Sequence, residues 1–169
     1  DKATLVFESP DTRIFAFSVS HAPIHPAVGY KIVYKDRSMV ISGDTTPSAH
    51  VEREAKGVDV LMHEAMSMEM MTFLQEGAHA AKRDKLEQLM KDITNYHTSP
   101  VEAAQIANKA EAGYLMLHHI APPLPLPGLV DVFLKGTDKA FKGKIQVAKD
   151  GDMLSLPAGQ KTIQASSRF

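Results

Sequence analysis

A change of pattern part-way along the chain constrains its fold more than any other feature. Up to residue 41 the sequence reads as β-strands joined by short polar turns, and from residue 46 helical and strand-like segments alternate. Thr4-Leu5-Val6-Phe7 runs into the turn residues Ser9-Pro10-Asp11, and Arg13 to Val19 is again β-type. Tyr30 to Tyr34 and Ser38 to Ile41 flank Lys35-Asp36-Arg37 as a hairpin. Thr46 and Pro47 then open a helix that ends near Gly57, and Val58 to Met62 returns to strand. That order predicts an α/β layered domain.

The remainder extends the pattern. Residues 65–95 read as helix, with Met66, Met70, Phe73, Leu74, Leu86, Leu89, Met90 and Ile93 on its apolar side and an interruption at Gly77. The methionines read as flexible core filler. Ser99-Pro100-Val101-Glu102 is a capping box ahead of a helix whose small face is Ala103, Ala104, Ile106, Ala107 and Ala110. Tyr114 to Leu117 is a short buried strand ending at His118-His119, and the prolines of residues 121–127 impose an extended loop. A short helix near Leu129 to Leu134 and a hairpin of Lys144 to Ala148 with Met153 to Leu156 complete a domain over residues 1–157. Residues 158–169 read as a polar tail that frays.

Composition removes several classes of function. The chain has 169 residues and no cysteine, so one domain with a sizeable core is expected and disulfide or thiolate chemistry is excluded. A formal charge of −1 offers no global field for nucleic acid or an anionic membrane, leaving only a local patch. No apolar run is long enough to span a bilayer. Cytoplasm is the default compartment, and the periplasm suits a cysteine-free chain as well. Asp1 opens the chain with almost no lead-in, which points to a removed leader or a piece of a longer protein.

The chemistry gathers where predicted strands end: His21, Asp44, His63 and His119 each follow one, and His97 precedes a helix. Imidazole and carboxylate side chains suit zinc and similar metals. In order, His21-Ala22-Pro23, Ser42-Gly43-Asp44-Thr45, Asp59 to Ala65, Tyr96-His97-Thr98-Ser99 and Leu115 to Ile120 form a series. It resembles the C-terminal half of a metallo-β-lactamase-fold hydrolase, of the branch that contains ribonuclease Z and arylsulfatase-like phosphodiesterases. The resemblance covers about residues 13 to 156.

What the resemblance implies is specific. The fold is half of a four-layer αββα sandwich, a mixed sheet flanked by helices. His21 matches a ligand of the first metal, Asp44 the carboxylate that bridges both metals, and His119 a ligand of the second. His97 matches a proton donor to the leaving group, and Glu64 the acid that orients it, while His118 and His63 receive no ligand role. The cofactor is two zinc ions in the complete protein, with manganese or iron as alternatives, and their shared hydroxide attacks a phosphodiester, sulfate ester or related ester.

Two departures qualify the resemblance. The family's remaining ligands lie in a His-x-His-x-Asp-His motif, which this chain lacks. The missing half, or a second copy of the chain, is therefore expected as a partner against the exposed inner sheet face. Bacterial ribonuclease Z also carries a tRNA-gripping arm between the positions of Tyr30 and Asp44, where this chain has only Lys31 to Gly43. With the near-zero charge, that disfavours tRNA and favours a small ester substrate. The competing reading is a non-catalytic module that keeps the fold and binds a protein through its sheet face. A serine hydrolase built from Ser42 or Ser99 with His97 and Asp44 has little support, because no Gly-x-Ser-x-Gly elbow is present and Ser99 reads as a helix cap.

Overall fold

The computed structural model describes residues 2–168. Four strands form an antiparallel meander: β1 (Thr4–Glu8), β2 (Thr12–Ser18), β3 (Val28–Tyr34) and β4 (Arg37–Ile41). Three more, β5 (Val60–Met66), β6 (Tyr114–Ala121) and β7 (Lys144–Val147), add in parallel, so the seven lie side by side in chain order. Short turns permit only antiparallel neighbours, whereas parallel pairs need long crossovers. The crossovers here carry α1 (Ala49–Glu54), then α2 (Met68–Ala80), α3 (Asp84–Ile93) and α4 (Pro100–Lys109), and finally α5 (Leu129–Phe133) with α6 (Thr137–Ala140). This is the mixed sheet with helices that the sequence predicts.

One face of the sheet carries the main core. Val40, Leu61, Leu115 and Leu117 pack with Val51 of α1 and with Ala103, Ala104, Ile106 and Ala107 of α4. All of these except Ile106 are fully buried, so the small face of α4 lets its backbone lie close to the strands. The other face holds Val60, Tyr114 and Met116, against which Met39, Met62, Leu154, Leu156 and Ile163 pack. The last three come from the segment containing β8 (Asp152–Ser155) and β9 (Gln164–Ser167), a separate antiparallel ribbon. Buried Arg37 ties that segment down: it pairs with Asp59 at 3.3 Å and donates to the carbonyls of Gln160 and Thr162. The cover is partial, because Phe7, Tyr30 and Tyr34 of β1 and β3 stay exposed.

Several local expectations are corrected. The first helix is capped by Ser48 rather than Thr46, and Pro47 lies ahead of it. The helical stretch breaks at Ala81 to Arg83, with Lys82 at φ 53°, and Gly77 stays inside α2. Phe73 and Leu89 of these helices are exposed, so their apolar face is not a core face throughout. The final hairpin does not form: β7 joins the main sheet beside β6, and β8 pairs with β9. The polar tail therefore contributes a strand. The capping box at Ser99 is present in full. Among the described residues, no helix is long and apolar enough to cross a membrane.

Candidate metal centre at the carboxyl ends of the strands

Strands β2 and β4 are both antiparallel to β3, and β4, β5 and β6 are parallel. The four therefore point the same way and end along one edge of the sheet, where α/β sheets hold their ligands. His21 and Asp44 lie just past β2 and β4, and Glu64 and His119 sit in the last turns of the ladder on β5 and β6.

Backbone geometry aims these side chains. Gly43 has φ +63°, and a Cβ there would lie 2.4 Å from the carbonyl oxygen of Val28, so only glycine permits the turn that presents Asp44. On β6 the register skips a residue: Glu64 pairs with His118 and Ala65 with Ile120, leaving His119 as a bulge. His119 is left-handed, with φ 48°, a cost that bulges beside functional sites carry. The bulge removes His119 from the ladder and turns it to Asp44.

The predicted residues come together. Asp44 Oδ2 lies 4.0 Å from His21 Nε2 and 3.6 Å from His119 Nε2. The His97 ring is centred 5.0 Å from that of His21 and 5.7 Å from that of His119. His21 Nδ1 lies 2.9 Å from the carbonyl oxygen of Tyr96. A carbonyl only accepts, so His21 donates from Nδ1 and turns Nε2 towards Asp44. An Nδ1–H held by a carbonyl, with Nε2 turned towards a carboxylate, is how metal-binding histidines are oriented. The donor chemistry fits a divalent metal. Among the described residues, however, no group of three or more His, Asp or Glu side chains is gathered tightly enough to hold an ion alone.

Behind the rim, Glu64 is fully buried and joins three segments. Its Oε1 accepts the His97 Nδ1–H at 3.1 Å, the Thr98 N–H at 3.0 Å and the Thr45 N–H at 3.2 Å. Thr98 donates its hydroxyl to the Thr45 carbonyl at 2.6 Å, and Ser42 Oγ accepts the Glu64 N–H at 3.0 Å. Burial works against a charged His97, but the hydrogen bond and charge of Glu64, helped by Asp44, outweigh it and hold its pKa above the usual imidazole value. Its Nε2 remains free to carry a proton. Sequence reasoning missed Ser42, Thr45, Thr98 and the Tyr96 carbonyl as supports. They lie inside the quoted motifs, yet their hydrogen bonds cross up to 75 positions.

The other histidines stand apart. His63 is fully buried and donates Nδ1–H to the Glu64 carbonyl at 2.7 Å, a structural role. His118 is turned inward, and its Nε2 has no hydrogen-bond partner among the described residues. His50 bonds the Ser18 carbonyl, His79 pairs with Glu87, and His25 is exposed.

The sequence profile of the beta-lactamase superfamily domain matches residues 1–120. The chain belongs to that superfamily. Over 130 residues it is 32% identical to ribonuclease Z of Mycobacterium tuberculosis, covering 77% of this chain and 43% of that protein. It is 29% identical over the same length to ribonuclease Z of Mycobacterium sp. (strain KMS), covering 41% of that protein. The chain thus spans somewhat less than half the length of these relatives.

Among solved structures, the metallo-beta-lactamase fold protein YhfI from Bacillus subtilis superimposes with a TM-score of 0.62 at 19% identity, over 98% of this chain and 53% of that one. The short form of human tRNase Z gives 0.56 at 20% identity, over 88% and 43%. These likenesses establish the metallo-β-lactamase fold for this superfamily member.

They also correct the expectation against tRNA. Its sequence relatives are ribonucleases Z, and a tRNase Z shares its fold. Net charge averages over the whole chain and does not report on a local basic patch, so it carries no argument against RNA.

Proposed function

We propose that this chain carries the bridging half of a metal-dependent phosphodiesterase that acts on RNA. The observation that carries the proposal is Asp44, whose Oδ2 lies within 4.0 Å of Nε2 of both His21 and His119. His21, Asp44 and His119 would hold the metals, two zinc ions on the resemblance, with Asp44 shared between them. The ligands of a His-x-His-x-Asp-His motif would come from outside this chain. Such a centre supplies Lewis acidity and charge neutralisation for attack of water on phosphorus. The ribonuclease Z relatives support a phosphodiester over a sulfate ester.

His97 supplies the remaining chemistry. Glu64 holds its Nδ1–H, so Nε2 faces the site with a proton retained by the raised pKa. The departing oxygen takes that proton, which spares the reaction a free alkoxide. Thr98 and Thr45, tied to the same carboxylate oxygen, keep Glu64 from rotating away from His97.

The test is metal analysis and RNA hydrolysis on the full-length protein. Asp44→Ala is expected to lose bound metal and to lower turnover by at least about a hundredfold. His97→Ala is expected to keep the metal while turnover falls ~10²–10⁴-fold. Unchanged metal content and turnover in Asp44→Ala would overturn the reading.

A further inference from the structure

Tyr96 lies where the candidate ligand and the candidate proton donor meet. Its main-chain carbonyl holds His21, while its ring packs edge-on against the His21 ring at 5.0 Å and 88°. The same ring lies 5.2 Å from His97 at a tilt of 48°. It is only partly buried, and among the described residues its hydroxyl makes no hydrogen bond. Tyrosine joins an apolar ring to a polar tip, which suits it to a surface that is apolar at one end and wet at the other. Tyr96 stays partly accessible beside both His21 and His97.

We propose that Tyr96 is a substrate-binding residue that stacks the nucleobase on the leaving side of the scissile phosphate. The proposal rests on the phosphodiesterase reading above and narrows its substrate class to diesters whose leaving group carries a planar base. His97 donates to the departing oxygen, so the group attached to that oxygen passes beside His97 and meets its neighbour Tyr96. Every base presents a π-face, so such a contact tolerates any sequence. An alkyl leaving group has no ring to place there. The contact holds the departing nucleoside in line with His97 Nε2 and raises affinity for nucleic acid over simple alkyl diesters.

The experiment compares uridylyl-3′,5′-uridine, which releases a nucleoside whichever ester bond breaks, with the 3′- and 5′-(methyl phosphate) esters of uridine; products are identified, and the ester that releases methanol is the alkyl control. The full-length, metal-loaded protein is used, with KM, kcat and zinc content measured for wild type, Tyr96→Ala and Tyr96→Phe. Stacking is worth about ten- to a hundredfold per base. Tyr96→Ala is therefore expected to raise KM for the dinucleotide by about that factor more than for the methyl ester, and Tyr96→Phe to restore it. Equal losses on the two substrates, or a loss that follows falling zinc content, would make Tyr96 a prop for His21 and overturn the proposal. A wild type that hydrolyses none of these esters would instead remove the phosphodiesterase reading on which it depends.

Discussion

His63 and Glu64 are adjacent on β5, and both are fully buried, yet their environments push them to different work. Glu64 receives three N–H donors on Oε1, while Oε2 is buried with no hydrogen-bond partner among the described residues. His63 has one backbone acceptor, and burial holds its pKa below the usual value. A histidine with a depressed folded pKa binds fewer protons than the unfolded chain. Its contribution to stability is therefore complete above the unfolded pKa of about 6.5 and is lost as pH falls below that value. Below that pH, the urea stability of the metal-free protein should decline with a His63-dependent slope of up to about 1.4 kcal/mol per pH unit. His63→Gln should flatten that decline, and equal slopes in the two proteins would show that other groups govern it. The positions of His21, Asp44, Glu64, His97 and His119 were legible from short motifs. The contact that orients His21 was not, because the Tyr96 carbonyl that holds its Nδ1 lies 75 positions away.

Among the elements, α4 was the most legible and the terminal ribbon the least. Ser99 caps α4 through a hydrogen bond from the Glu102 N–H at 3.3 Å, and Glu102 returns one from the Ser99 N–H at 2.9 Å. Every atom in that exchange lies within four consecutive residues, so the pattern alone specifies it. Ser99→Ala should cost about 1 kcal/mol in urea denaturation and, through the preceding residues, loosen the Thr98 contact to Glu64. Thermal or urea midpoints matching wild type would count against the cap. By contrast, Lys144 to Val147 and Asp152 to Ser155 are β-type runs at hairpin spacing, yet they never pair. The open edge of β6 and the polar run Gln164–Ser167 offer each a different neighbour. Local pattern identifies a strand but does not choose its partner.

For the whole molecule, the decisive event is the covering of two sheet faces. Helices bury one, and the segment after β7 lies on part of the other, held by Arg37. Arg37 is 3% exposed and serves Asp59 as well as two carbonyls of that segment, so Arg37→Ala leaves a carboxylate and two acceptors without their cation. The expected loss is about 3 kcal/mol, with faster proteolysis within residues 157–168. Cleavage there at the wild-type rate would refute the clamp. The sequence by itself determined the α/β class, the strand-end placement of the site residues and the cap of α4, because each depends on neighbours within a few residues. Tertiary structure alone decided that Asp44 meets both His21 and His119, that Glu64 ties two loops to β5, and that the polar tail pairs with β8. Those contacts join segments that only the closed sheet brings within a few ångströms, and no local propensity encodes them.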